Sequence, residues 1–360
     1  MVEWNHPIHR LTLQAGQDPM CVEAKVVEKN EAVLRKLDEM SYFSPTAINT
    51  YITCKLKYYF KYIAGIKETD EIDVDDVDNR IFGNIFHTAA QLMYEKLLPR
   101  EIITAKDIDK LLKTGKSTQS LTSGNADLTL DDIVDESFAQ ELFNQQPGTR
   151  KHPKLNGLQL INREVIIKYL HQLLRIDRRT APLRVIGHEF PVKRPLTIKV
   201  NGLEKQIETG GRIDRLDEIY VDSDKARLRV VDYKTGSKVA KSIKSVDEMF
   251  DPKFLDKKND YTMQAMLYSL IEATNDMEHN PNHHAVSPAL LFIQHAGSED
   301  YTPVLSIQTE EITDVTVYEE DFLRMLTDIL EEIHNPDIAF EPTSNPNSCN
   351  YCPYKQMCGR

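Results

Sequence analysis

The chain has 360 residues, 41% hydrophobic and 28% charged, with a net charge of −12. That length suits one large domain or two modest ones. No apolar run approaches the roughly 18 residues of a membrane span, and MVEWNHPIHR lacks the apolar centre of a secretory leader, so the expectation is a cytoplasmic protein with no membrane partner. The acidic balance argues against a general polyanion-binding coat, although Lys and Arg predominate between 150 and 205.

In chain order, residues 1–43 read as a lead-in, with a short strand at HRLTLQ (9–14) and a charged helix in EKNEAVLRKLDEM (28–40). Ser44-Pro45 combines a capping residue with Pro at the first helical position, which predicts a helix running to Gly65 with Cys54 in its middle. The acidic stretch 67–79 reads as a solvated loop. FGNIFHTAAQLMYEKLL (82–98) follows as a helix, with Gly83 and His87 on one face. Residues 100–160 alternate helical pieces with polar loops and read as a helical insertion. A long helix at about 160–179 ends in Arg175, Arg178 and Arg179, a placement that suits the helix dipole or a phosphate.

Strand-like alternation begins at Leu183 in LRVIGHEFPV, which carries Glu189, and continues in LTIKV. Residues 212–220 and 226–233 read as a β-hairpin turning at Asp222-Ser223-Asp224. Asp214 lies on its first strand and Asp232 and Lys234 on its second. The period of two puts Asp232 and Lys234 on one face and turns Tyr233 away. DYTMQAMLYSLIEAT (260–274) reads as a helix that Asp260 could cap, with Gln264 and Tyr268 four apart. Strands at ALLFIQ (289–294) and TPVLSIQ (302–308) and a helix at 319–334 complete the chain.

Asp232 ends an apolar run, where a carboxylate is costly unless it is paired or bound to a metal. Two carboxylates, an imidazole and a backbone carbonyl suit Mg²⁺ or Mn²⁺. Such a site activates water toward a phosphodiester, with Lys234 placed to orient the water or offset charge. No G-x-x-x-x-G-K-[ST] loop is present, so the chain has no helicase motor of its own. At the other end, Cys349, Cys352 and Cys358 form C-x2-C-x5-C. Three crowded thiols call for a soft metal group. Cys54 is the natural fourth ligand, which would tie the tail to the first helix, and zinc and an iron–sulfur cluster both fit.

The motifs in order are G-x-x-x-H (Gly83–His87), G-x-I-D-R (Gly211–Arg215), V-D-Y-K-T (Val231–Thr235) and Q-x-x-x-Y (Gln264–Tyr268). Together with the cysteines they resemble the PD-(D/E)XK nuclease superfamily, in particular its RecB/AddB-type nuclease domains with an iron–sulfur staple. The resemblance covers about 44–358. It implies an α/β restriction-endonuclease-like core, a mixed sheet flanked by helices, spanning residues 44–360, with the staple in 345–360. It further implies His87, Asp214, Asp232 and the Tyr233 carbonyl as metal ligands and Lys234 as the catalytic lysine. Gln264 and Tyr268 would complete the active face, Glu189 is a further acidic position, and a 4Fe–4S cluster is preferred over zinc. The implied activity is hydrolysis of DNA at ends or in single strands, beside a helicase in double-strand-break repair or recombination. The alternative is a non-catalytic DNA-binding or scaffold module of the same fold. The presence of Asp214, Asp232 and Lys234 weighs against it.

Overall fold

The computed structural model describes residues 25–67, 77–116, 128–148, 152–222, 225–237, 239, 243–257, 259–274 and 279–359. The expected strand at 9–14, Cys21, the middle of the acidic stretch and the turn at 223–224 lie outside the described residues.

The charged helix forms as α1 (Glu31–Glu39), capped by Asn30, with Val33 and Leu37 buried. β1 (Tyr42–Phe43) follows. Ser44 caps α2 (Pro45–Thr53), its hydroxyl accepting the Ala47 N–H at 3.2 Å. The helix expected to run on to Gly65 instead breaks at Cys54, which is extended (φ −163°). The Leu56 N–H leaves the helical ladder for the Glu341 carbonyl of the tail, at 2.9 Å. The Cys54 sulfur then caps α3 (Lys55–Tyr58) by accepting the Lys57 N–H at 3.4 Å. A π turn, Tyr59–Ile63, extends it.

α4 (Asn79–Leu92) starts at the Asp78 cap. α5 (Ala105–Thr114) and α6 (Leu130–Glu141) both open with Thr/Asp capping boxes, which satisfy two otherwise orphaned backbone donors each. α7 (Gly157–Thr180) carries the arginines at its end. Arg178 pairs with Asp109 of α5, and Arg179 donates to the Ser298 and Glu299 carbonyls at 2.8 Å, so both are engaged within the fold.

A second, longer hairpin precedes the one expected at 212–233. β2 (Leu183–Val200) and β3 (Leu203–Asp222) pair along their whole length. They turn at Asn201 (φ 50°) and Gly202 (φ 78°), the left-handed pair that a tight hairpin requires. β4 (Lys225–Lys234) runs antiparallel to β3. After α8 (Asp247–Phe250) and α9 (Asn259–Thr274), β5 (Val286–Phe292) pairs parallel with β4. Asp260 lies in the first turn of α9 rather than at its cap. The strand expected at 302–308 shrinks to an isolated bridge at Val304 and β6 (Ser306–Ile307), which pairs with β7 (Glu310–Glu311). Pro303 inside the run supplies no ladder donor. α10 (Glu319–His334) closes the core.

The five-stranded sheet is mixed. β2 flanks one side of β3; the other side is taken first by β1, at Glu208 and Thr209, and then by β4. Each face buries its own core. One gathers Phe43, Ile48, Tyr51, Val230, Leu267 and Phe322 under α2, α9 and α10. The other gathers Phe86, Phe138, Leu170, Val231, Tyr233 and Leu291 under α4, α6 and α7. Adjacent residues of β4 thus enter opposite cores, as strand alternation demands. The helices of 105–141 pack into the second core and are integral to it. Among the described residues no helix is long and apolar enough to cross a membrane.

Candidate active site

The site forms where the sheet splits. The β3–β4 ladder ends at the pair Arg215–Val231. One step further the register would set Asp214 opposite Asp232, but the strands diverge there. The Asp214 carboxylate fills the fork and accepts the Tyr233 N–H at 2.7 Å. Two acidic side chains thus stand on diverging strands, one register step beyond the last ladder pair.

Three further elements, and β4 itself, bring side chains to this fork. His87, on α4, points its Nδ1 at Asp214 Oδ1 (3.5 Å) and Glu189 Oε1 (3.3 Å). Glu189 sits within β2 yet takes a left-handed backbone (φ 47°). That conformation is costly for a residue with a Cβ and recurs at functional sites. The register passes from His188–Arg215 to Phe190–Ile213, so Glu189 lies across the hairpin from Asp214. Its second oxygen meets the exposed Arg212 guanidinium at 3.1 Å. From α9, Gln264 donates its amide to Asp232 Oδ1 at 2.7 Å. Lys234 places its ammonium 2.7 Å from Asp232 Oδ2, which bears out the shared face.

Tyr268, one turn after Gln264, approaches β3 at Gly211. A Cβ added there would lie 1.9 Å from the tyrosine hydroxyl, so the glycine of the G-x-I-D-R stretch is required by close approach. Behind the fork, Arg215 points the opposite way from Asp214 and is buried. It is held by Asp177 at 2.7 and 3.0 Å and by Asp217 at 2.9 Å, and its guanidinium lies over the Tyr233 and Tyr94 rings. Arg229 holds Asp217 from the other side at 2.8 and 2.9 Å. This buried quartet had no distinct signal in the sequence, since its members come from three separate elements.

Electrostatics separate the two acids. Burial works to raise the Asp214 pKa, but the His87 charge, Lys234 and the Tyr233 N–H outweigh it and hold the group below its ordinary value. At Asp232 burial prevails over the Lys234 charge, with Asp214 adding to it, and the group is pushed up to about 6. His87 is driven up to about 10 because Asp214 and Glu189 overcome its burial. Lys234 rises for the same reason, through Asp232 and Asp214. Pairs of groups pushed apart in this way mark sites of acid–base and metal chemistry.

Among the described residues the one trio of His, Cys, Asp or Glu ligand atoms lying within 4.8 Å of one another is His87, Glu189 and Asp214. This donor set, imidazole and carboxylate oxygens, fits a hard divalent cation. Asp232 stands just outside it, engaged by Gln264 and Lys234. Glu189 is thus drawn in more closely than its sequence position indicates. The four cysteines occupy one region: Cys54 at the break between α2 and α3, and Cys349, Cys352 and Cys358 in the tail docked against it. The Tyr354 hydroxyl donates to the Ile66 carbonyl at 2.8 Å and its ring meets Phe60, which fixes that docking. None of these four is in a disulfide.

Fork, imidazole and lysine on a mixed sheet define a nuclease class. The PD-(D/E)XK nuclease superfamily profile matches residues 42–359, and the chain belongs to that family. Among curated proteins it is similar to the exonuclease/helicase subunit RexB of Lactococcus lactis subsp. cremoris, with 20% identity over 355 residues, covering 88% of this chain and 28% of the relative. It is also similar to a subunit of the ATP-dependent helicase/deoxyribonuclease of Carboxydothermus hydrogenoformans, with 25% identity over 201 residues, covering 54% of this chain and 16% of the relative. The match to either relative thus spans well under half of that relative's length.

Proposed function

We propose that this chain is a Mg²⁺- or Mn²⁺-dependent deoxyribonuclease that hydrolyses phosphodiester bonds at DNA ends or in single strands. It would act beside a helicase, the partnership in its relatives' names, in double-strand-break repair or recombination, the process that the family resemblance implies. The observation that carries the reading is the fork: Asp214 and Asp232 on diverging strands, with His87 at one side and Lys234 at the other.

In this reading His87, Asp214 and Glu189, whose ligand atoms already lie together, would hold the cation, with Asp232 and the Tyr233 carbonyl completing its shell. A bound divalent ion supplies Lewis acidity for water activation and for the charge that grows on the phosphate. The Gln264 amide fixes the Asp232 carboxylate through Oδ1. Lys234 keeps its proton at Nζ, beside Asp232 and on the wall of the open groove, where it offsets phosphate charge or orients water. Tyr268 locks α9 to Gly211 and so sets the reach of Gln264.

Cys54, Cys349, Cys352 and Cys358 would hold a 4Fe–4S cluster that cross-links the tail to α2–α3. A zinc ion with bonds of about 2.3 Å draws four sulfurs to about 3.8 Å of one another. Both groups take four thiolates; the resemblance to nuclease domains with an iron–sulfur staple favours the cluster, in which each thiolate would bind a different iron.

The test is cleavage of end-labelled single- and double-stranded DNA with Mg²⁺, Mn²⁺ or EDTA, by the chain and by Asp232→Ala. Metal-dependent degradation lost in the variant supports the assignment. Full activity of Asp232→Ala, or activity undiminished in EDTA, overturns it, and DNA binding without cleavage moves the reading to a scaffold module.

A further inference from the structure

Beyond Lys234 the parallel strands β4 and β5 end and a groove of about 600 Å³ opens. Crevices at the carboxyl ends of parallel strands are where open α/β sheets bind ligands, and this volume is within the roughly 300–1,000 Å³ of small-ligand sites. Its lining includes four aromatic residues, Phe82 of α4, Tyr169 of α7, Tyr261 of α9 and the buried Tyr233 of β4. Three amides accompany them, Asn79, Asn162 and Gln294. Among the described residues no carboxylate lines it, in a chain whose net charge is −12. Lys234 stands at its inner end, 4.5 Å over the Tyr261 ring.

The rim is pre-organised. Gln294 donates to the Thr235 carbonyl at 2.6 Å and hydrogen-bonds the Tyr169 hydroxyl. Phe82 meets Tyr169 edge-on, with centroids 5.9 Å apart. Tyr169 is only half-buried, which leaves part of it to the groove. Aromatic faces stack on any base. Amides carry both a donor and an acceptor, the complement of a base's heteroatom edge. A paired base has its faces and its edge already engaged within the duplex, so only an unpaired base can use such walls.

We propose that this groove is a nucleobase subsite, which takes one unpaired base of the DNA strand whose neighbouring phosphate lies at Lys234. Tyr169 is its stacking platform and the three amides face the base edge. The assignment rests on the nuclease reading above and deepens it: the substrate at the fork is a single strand or a frayed end.

The test is binding of the full chain to a fluorescent single-stranded oligonucleotide in EDTA, which reads affinity without cleavage. An abasic site is moved along the oligonucleotide one position at a time. Expected is one position at which base removal weakens binding about tenfold, the scale of one stacked base. 2-Aminopurine at that position should change its fluorescence on binding. Tyr169→Ala should lose about tenfold on the intact strand and nothing further on the abasic one, whereas Tyr169→Phe should behave as the parent. Asn162→Ala is a second variant, read the same way, and thermal melting verifies that each is folded. Equal loss at every abasic position, no binding of the strand, or duplex bound as tightly as single strand overturns the subsite. Mg²⁺-dependent cleavage of the same strand is scored separately. Cleavage without the single-position footprint removes the subsite and keeps the nuclease; the footprint without cleavage keeps base binding and removes catalysis.

Discussion

Arg215 is the most exacting test of how the site is held. Its guanidinium is about 1% exposed and lies between Asp177 and Asp217, both fully buried. Replacing it with Met preserves much of the side-chain volume and removes the charge. Asp217 keeps both bonds from Arg229, but Asp177 keeps only the Tyr94 hydroxyl and becomes an uncompensated buried carboxylate. Breaking a buried pair from one side costs about 3–5 kcal/mol, or roughly 4–7 °C in Tm for a chain of this size. Asp177→Asn in the same background removes the stranded charge, so the double variant should regain at least about 2 kcal/mol of that loss. Urea unfolding of the four proteins of this cycle measures the coupling directly. The reasoning fails if Arg215→Met costs under about 1 kcal/mol, or if the double variant is no more stable than Arg215→Met alone. Because Arg215 lies over the Tyr233 ring and Tyr233 holds Asp214, cleavage should fall with stability in the single variant and recover in part in the double.

Other expectations come from other parts of the fold. Gly211→Ala sets a Cβ 1.9 Å from the Tyr268 hydroxyl and 2.6 Å from Cζ; overpacking of this kind costs about 1–3 kcal/mol. Tyr268→Phe should relieve only part of that cost, because Cζ remains, and an unchanged unfolding midpoint for Gly211→Ala would count against the close approach. His334 is buried with its pKa lowered, first by desolvation and then with Lys205 contributing. Its Nδ1 donates to the Leu330 carbonyl at 2.8 Å and its Nε2 faces the Lys205 ammonium at 3.3 Å. A folded pKa below the unfolded 6.5 means stability is fully present above that pH and is lost as pH falls. Tm should therefore drop between pH 7 and 5, with a shallower slope in His334→Gln; equal slopes would remove His334 as the cause. Cys54→Ser should lower the iron content of anaerobically purified protein and loosen the tail to proteolysis, and unchanged iron content would exclude Cys54 as a ligand.

Much of the site was legible before any fold was known, because it depends on local periodicity. Asp232 and Lys234 share a face since a strand repeats every two residues, and the Lys234–Asp232 contact at 2.7 Å shows that they do. Gln264 lies one helical turn before Tyr268, and both reach the sheet. Ser44-Pro45 started its helix as a capping residue and proline should. The Asn201-Gly202 dipeptide is an equally local hairpin signal, but it was not among the expectations drawn from the sequence, and the β2–β3 pairing emerged only in the structure.

What local pattern could not carry arises from contacts between residues distant in sequence. The break at Cys54 exists because Glu341, far along the chain, takes the Leu56 N–H from the helix. Glu189 joins His87 and Asp214 through a left-handed backbone that its residue type disfavours and that only the surrounding sheet can impose. The Arg215 quartet and the groove beyond Lys234 are assembled from strands and helices with no common period. The sequence by itself determined which chemical groups are present and on which face of its own element each lies, because those are properties of a strand or a helix alone. The tertiary structure decided which faces meet, since the divergence of β3 and β4 and the burial of charge at their fork depend on packing across the whole sheet.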